Sequence, residues 1–364
     1  FGVEESFTGV GYYMVFSPLV DNSTILPSPA ADAGAFTIGN IQQGVHGFAD
    51  DNTVSFVGTV AGDRVGDNAN TDSTNNGNVF LINPQWRSNT GAVTFIDLVN
   101  GTGLAGDIDA TNSIVGTTSG DKVGIGGVQS LNNHMVGIRS PNWSNGGTTV
   151  DAGAITWVNE LTGGVGAVTT SNSLVGANTS DGVGLSAINL VGGTNDLYFT
   201  RTTGYNGGRS ALTFINSADA PPTGLIDGAT SNTLLGSTVN DNLGSGGIDA
   251  VGFGPNRRVM VSSPIWDNGA TTEAGAITTF LPSAPKHGTL DNTNSLVGTN
   301  TIDNIGDGFL VGLSNGNRLV VHGGWNGGRG AVTFWNVSTD LVGDVGPGNS
   351  LVGAATGDVV GSSR

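Results

Sequence analysis

The phrase Asn-Ser-Leu-Val-Gly, or a near variant of it, comes round six times in this chain, and an aspartate follows each time five residues past the glycine. Those aspartates are Asp63, Asp121, Asp181, Asp241, Asp303 and Asp358, so successive spacings are 58, 60, 60, 62 and 55 residues. A period near 60 that tiles a 364-residue chain makes the fold a stack or ring of similar units, whatever any single residue does. The units run over 1–62, 63–120, 121–180, 181–240, 241–302 and 303–364.

Within a unit the pattern is one of short strands. Gly makes up 62 of the 364 residues, and with the many Asn, Thr and Ser it opposes long helices. In the third unit four apolar runs stand between turn-forming clusters: Gly127–Leu131, Met135–Ile138, Gly153–Trp157 and Asn172–Gly176. The third run is the most constant, reading Gly34-Ala-Phe-Thr, Gly91-Ala-Val-Thr-Phe95, Ser210-Ala-Leu-Thr-Phe214, Gly275-Ala-Ile-Thr and Gly330-Ala-Val-Thr-Phe334 elsewhere. Four strands in about sixty residues fit the blade of a β-propeller better than the shorter coil of a β-solenoid. The tail Gly357–Gly361 stops where another first strand is due, and the head Phe1–Phe7 with Tyr12–Pro18 supplies one. The expected fold is therefore all-β, a single six-bladed propeller of four-stranded antiparallel blades. A fragment of a longer β array or solenoid is the alternative.

Composition narrows the function. Net charge is −17, from 29 acidic and 12 basic residues without a basic cluster, which argues against nucleic acid and anionic membranes as partners. No Cys is present, so disulfides, thiolate metal sites and thiol nucleophiles are excluded. No run of eighteen apolar residues suggests membrane insertion. The start, Phe1-Gly-Val-Glu-Glu5, has neither the basic nor the apolar part of a signal peptide, and the chain reads as a processed piece of something larger.

The ordered phrases of a unit are Gly-Asp-x-Val-Gly, a strand ending in Ser-Pro, Gly-Ala-Val-Thr-Phe and Leu-Val-Gly. Together they resemble the FG-GAP repeat of integrin-α-type propellers. Val123-Gly124, Val183-Gly184 and Leu243-Gly244 stand in the Phe-Gly place; Ser17-Pro18, Asn83-Pro84, Ser140-Pro141 and Ser263-Pro264 stand in the Ala-Pro place. The fourth and sixth units depart, with Thr202-Thr203 and Gly323-Gly324 there. The Asn-Gly-rich variant is similar to repeats of large secreted bacterial exoproteins of the filamentous-haemagglutinin type. That resemblance implies a secreted or cell-surface adhesion module. Calcium-binding members of the FG-GAP family carry Asp-x-Asp-x-Asp-Gly between the first two strands. Here the turns read Leu131–His134, Gly254–Asn256 and Ser314–Asn317, so calcium in every unit is not expected.

Three sets of residues are candidates for more than packing. The six repeated aspartates suit turns in which a carboxylate caps backbone N–H groups, with a ring of carboxylates around a cation as the alternative. One loop, with Asp67, Asn70, Asp72 and Asn76, offers oxygens at alternate positions for Ca²⁺ but lacks a bidentate Glu. The third set is an aromatic just past the second strand: Trp86, Trp143, Tyr205, Trp266 and Trp325, joined in two units by Arg209 and Arg329. Flat rings beside Asn, Asp and Arg are how proteins hold sugars, whereas wedging between blades would be mere packing. His46, His134, His287 and His322 have no metal-ligand spacing. No Ser/His/Asp order and no phosphate loop appears, so an enzyme is not expected, although a glycosidase carboxylate pair has no sequence signature. The expectation is a binding module for a glycan or a cell-surface protein. A ligand-free stalk segment and a polysaccharide-degrading enzyme are the alternatives.

Overall fold

The computed structural model describes the chain except residues 1, 6–10, 26, 68–69, 229–231, 253, 255–256 and 363–364, and leaves the side chains of 2–5 and 70–73 undescribed. It is all-β, with six sheets at the repeat period. The four-stranded cores span residues 2–57, 70–115, 128–175, 189–235, 247–297 and 309–352. The repeated aspartates fall in the linkers between sheets and after the last. The chain divides into two compact units, Phe1–Ser186 and Ala187–Arg364, each with three sheets.

The third sheet shows the common plan. Val128–Ser130 pairs antiparallel with Met135–Ser140, that strand with Ala154–Asn159, and that in turn with Ser173–Val175. The third strand presents alternate residues to opposite faces. In the middle sheet of each unit both faces are apolar, because it packs against one sheet before it and one after it. Val79, Leu81, Ala92 and Ile96 of sheet two meet Phe36, Ile38 and Phe56 of sheet one, while Phe80, Ile82, Val93 and Ile114 meet Val136 and Ile138 of sheet three. In the second unit, Leu212 and Phe214 pack on Val259 and Val261, and Ile277 and Leu296 on Val320 and Ala331.

A hydroxyl pair joins the third and fourth strands in every sheet. Thr37–Ser55, Thr94–Ser113, Thr156–Ser173, Thr213–Thr233, Thr278–Ser295 and Thr333–Ser350 lie 2.6–2.8 Å apart, oxygen to oxygen. These polar groups sit within apolar layers and satisfy one another there.

The short apolar runs conceal one further element. Before its own fourth strand, a repeat sends a two-residue strand to the fourth strand of the sheet before it, in parallel. Gly106–Asp107 joins Phe56–Val57, Gly166–Ala167 joins Ile114–Val115, Gly288–Thr289 joins Leu234–Leu235, and Gly343–Asp344 joins Leu296–Val297. The residue directly after it, Ile108, Val168, Leu290 or Val345, is buried and donates its N–H back to the same fourth strand. Within each unit, successive repeats are thus sewn together by main chain as well as by side chains.

Candidate functional site

In the sheets after the first, the edge where the second strand turns into the third holds the aromatic loop and the linker aspartate, and the two are one construction. The carboxylate Oδ2 of Asp121 accepts the N–H groups of Thr117 (2.9 Å) and Thr118 (2.8 Å), closing its own turn. Its Oδ1 accepts the N–H of Ser144 at 3.0 Å, the residue directly after Trp143. The same geometry recurs: Asp63 takes Thr59, Val60 and Arg87; Asp241 takes Ser237, Thr238 and Asp267; Asp303 takes Thr299, Asn300 and Asn326. Asp181 binds Ala177 and Asn178, and Asp358 binds Ala355. Five of the six are buried and Asp358 is exposed. A desolvated carboxylate is stable where several N–H donors converge on it, and these charge-assisted bonds are the strong kind.

The residue after each aspartate has a left-handed backbone: Arg64, Lys122, Gly182, Asn242, Asn304 and Val359 have φ of 43–66°. That twist drives the following Val65, Val123, Val183, Ile305 or Val360 against the glycine that opens the third strand. At Gly34, Gly91, Gly153, Gly275 and Gly330 a Cβ would collide with that residue's backbone, and φ there is also positive. The fourth repeat places Ser210 at this position with φ 73°, and its Oγ accepts the N–H of Leu243 at 3.1 Å.

All five loop aromatics are buried, at 2–8% exposure. Trp86 packs with Phe36 and Leu81, Trp143 with Phe80 and Val136, Trp266 with Phe214 and Val261, and Trp325 with Ile277 and Val320. Each of these four indoles is wedged between its own sheet and the one before, so its ring face is not open for a sugar to stack on. What the loops show to solvent comes after the ring. Trp86–Asn89, Tyr205–Gly208 and Trp325–Gly328 are tight turns whose second and third residues have positive φ. Arg87, Ser88, Asn89, Asn206 and Arg209 are exposed, while Asn326 and Arg329 are half-buried. The loops after Trp143 and Trp266 are longer and fold as small hairpins, bridged Asn145 to Thr149 and Asn268 to Thr271. Within each unit, linkers tie successive loops together: Lys122 N–H donates to Asn89 O, Asn304 N–H to Glu273 O, and Val359 N–H to Gly328 O.

The other candidates lie apart from this edge. Asp67 pairs with Arg64 at 3.1 Å, and Asn76 Oδ1 accepts from Thr74 Oγ1 and from Asn78 N–H. Asn70 and Asp72 belong to the strand Asn70–Ser73, and their side chains lie outside the described residues. No group of three or more His, Asp or Glu is close enough to hold a metal among the described residues.

Two buried titratable groups escaped the sequence reading. Glu160 is buried, with Oε1 2.6 Å from Nδ1 of His134 and Oε2 unpartnered. His322, at the end of the second strand of sheet six, is 3% exposed with neither ring nitrogen hydrogen-bonded. Burial lowers its pKa to about 4. The burial of these two groups has no sequence signal, although His322 stands where other repeats carry Ser140, Ser263 or Thr202.

These features define a class: an all-β repeat protein in which linker aspartates and buried loop aromatics form a recurring clamp. The chain belongs to a family described as a repeat of unknown function (DUF5650), whose pattern matches residues 8–67, 73–125, 131–185, 256–307 and 312–362. The longest unmatched stretch, 186–255, holds most of the fourth unit, where Tyr205, Ser210 and Thr202-Thr203 replace the usual Trp, Gly and Ser-Pro. No curated protein matches. Among solved structures, one titled "Crystal structure of the eukaryotic initiation factor" aligns over 97% of this chain and 78% of its own, at 11% identity and a TM-score of 0.24, too low for inference.

Proposed function

We propose that the chain is a secreted or cell-surface binding module that holds a glycan or a surface protein on the clamp edge. The supporting observation is the division of labour in the aromatic loops. Buried rings and buried carboxylates fix the backbone, so the Arg, Asn and Ser residues that follow are presented with little conformational freedom left to lose on binding. Recognition on this reading is by hydrogen bonds and guanidinium charge, with Arg87, Arg209 and Arg329 as the cationic points on an acidic protein. Sugar hydroxyls and carboxylates suit such donors.

The test is binding of the whole chain to a glycan array and to intact cell surfaces, beside the triple variant Arg87→Ala/Arg209→Ala/Arg329→Ala. Binding that the variant weakens at least tenfold supports the reading. Absence of any binding, or binding indifferent to the three changes, refutes it. A second, architectural reading, in which the repeats are a structural segment with no ligand, is favoured by the exposure of Phe334 and Leu351 on sheet six, at positions that are apolar and buried in other sheets.

A further inference from the structure

One cavity at the clamp edge lies wholly inside the first compact unit, where the second repeat passes into the third. It measures about 310 Å³, near the lower end of the ~300–1,000 Å³ that small-ligand sites occupy. Ile82, Pro84 and Gly124 are buried and make its floor. Asn89, Lys122 and Ile125 are exposed at its mouth, with Gln85 half-buried beside them. Main-chain bonds hold the mouth in shape: Lys122 N–H donates to Asn89 O and Ile125 N–H to Lys122 O, each at 2.9 Å.

Other repeats close the same place with their own side chains. By strand register, Ile82 corresponds to Arg139 in the third sheet and Arg201 in the fourth. Those guanidinium groups donate to the carbonyls of Gly184 (3.5 Å) and Gly244, the counterparts of Gly124. After the fifth sheet Asn304, in the place of Lys122, donates its side-chain amide to Pro264 O at 3.1 Å. After the first, Arg64 in that place is held by Asp67. Between the second and third sheets nothing comparable occurs. Among the described residues, Gln85, Asn89 and Lys122 make no side-chain hydrogen bond or ion pair, whereas the chain's other lysine, Lys286, pairs with Asp340 at 2.9 Å. No described acidic residue lines the cavity.

We propose that this cavity holds one carboxylate-bearing sugar residue, a hexuronate; the inference rests on the glycan form of the function proposed above and names the residue recognised. The Lys122 ammonium is the one charge in the lining and suits a carboxylate. The free amides of Gln85 and Asn89 each donate and accept, as ring hydroxyls do. Ile125 and Pro84 offer apolar contact to the C–H face of a pyranose, and the volume admits a single ring. Phosphate is better served by the guanidinium fork, and that is the group which Ile82 replaces here.

Glucuronate, titrated into the 364-residue chain and followed by NMR at the Gln85 and Asn89 side-chain amides and the Ile125 methyls, tests it. Saturable shifts at these residues are expected, with glucose binding at least tenfold more weakly. Lys122→Asn installs the residue that Asn242 and Asn304 carry at the same left-handed position, so it keeps the fold, and should weaken glucuronate at least tenfold. Lys286→Asn, which removes the same charge elsewhere, should leave the affinity unchanged. Glucuronate that moves none of these signals overturns the proposal, as does indifference to Lys122→Asn. Acetate or inorganic phosphate binding as tightly also overturns it, since the site would then take any small anion. Glycan-array binding that needs Arg87, Arg209 and Arg329, with the cavity silent toward glucuronate, removes this inference alone. A cavity that fills with glucuronate beside a silent array supports it and removes only the wider reading.

Discussion

Buried and without hydrogen-bond partners, His322 makes the stability of the second unit depend on pH in a way that can be computed in advance. Burial penalises the imidazolium, so the native pKa lies at about 4, against about 6.5 in the unfolded chain. Between those values the unfolded state takes up a proton that the native state refuses. Stability contributed by the neutral ring is thus complete above pH 6.5 and falls as pH drops toward 4. The full difference of about 2.5 units is worth about 3 kcal/mol, of which about 2 kcal/mol is already lost at pH 5. Carboxylates titrate in the same range, so the informative quantity is the difference from His322→Ser, which installs the residue found at the equivalent position, Ser140, whose Oγ accepts the Gly124 N–H at 3.1 Å. Urea denaturation followed by tryptophan fluorescence at pH 7 and pH 5 measures it. The variant should gain about 2 kcal/mol on the parent between the two pH values. Parallel pH profiles for the two proteins would refute the reasoning, since the ring would then be solvated or paired.

Three further outcomes follow from the clamp and the core. Asp121→Ala removes one acceptor from three backbone N–H groups, two of them in the linker turn, and should cost about 3 kcal/mol in chemical denaturation, with Asp121→Asn recovering part of it. Gly153→Ala forces a Cβ into the Val183 backbone at φ 75° and should cost more than about 2 kcal/mol, whereas Ser210→Gly exchanges relief of a strained φ for loss of the Leu243 hydrogen bond and should stay within about 1 kcal/mol of the parent. His134→Ala removes the partner 2.6 Å from Glu160 Oε1 and, because the imidazole is half-exposed and solvent can take its place, should lower the stability of the first unit by only about 1 kcal/mol in chemical denaturation, a loss that adding Glu160→Gln should largely reverse.

The strands were legible in the sequence because burial on both faces demands unbroken apolar runs, and glycine-rich turns bound them. In the third repeat the runs at 127–131, 135–138, 153–157 and 172–176 became strands shifted by a residue or two. The parallel fifth strand was not legible, since Gly106–Asp107 or Gly343–Asp344 has no apolar signature and takes its structure from the neighbouring sheet. The aromatic loops could be found but not oriented. Trp-Asn-Gly reads equally as an exposed sugar platform or a buried wedge, and only the packing of Trp325 on Ile277 from the sheet before decides it. The aspartates were placed in turns, yet the bond that reaches over to the next loop spans 24 residues in the Asp63–Arg87 pair and leaves no local trace. The glycine at 153 is explained only once Val183 is seen pressed against it.

The central claim is that the linker aspartates Asp63, Asp121, Asp241 and Asp303 each pin the loop beyond them through the amide after the buried aromatic. Backbone hydrogen exchange resolved to single amides measures this directly. The N–H groups of Arg87, Ser144, Asp267 and Asn326 should exchange as slowly as strand amides, and in Asp121→Ala the Ser144 amide alone of the four should accelerate. Rapid exchange of all four in the parent protein, at the rate of an open surface loop, would contradict the clamp.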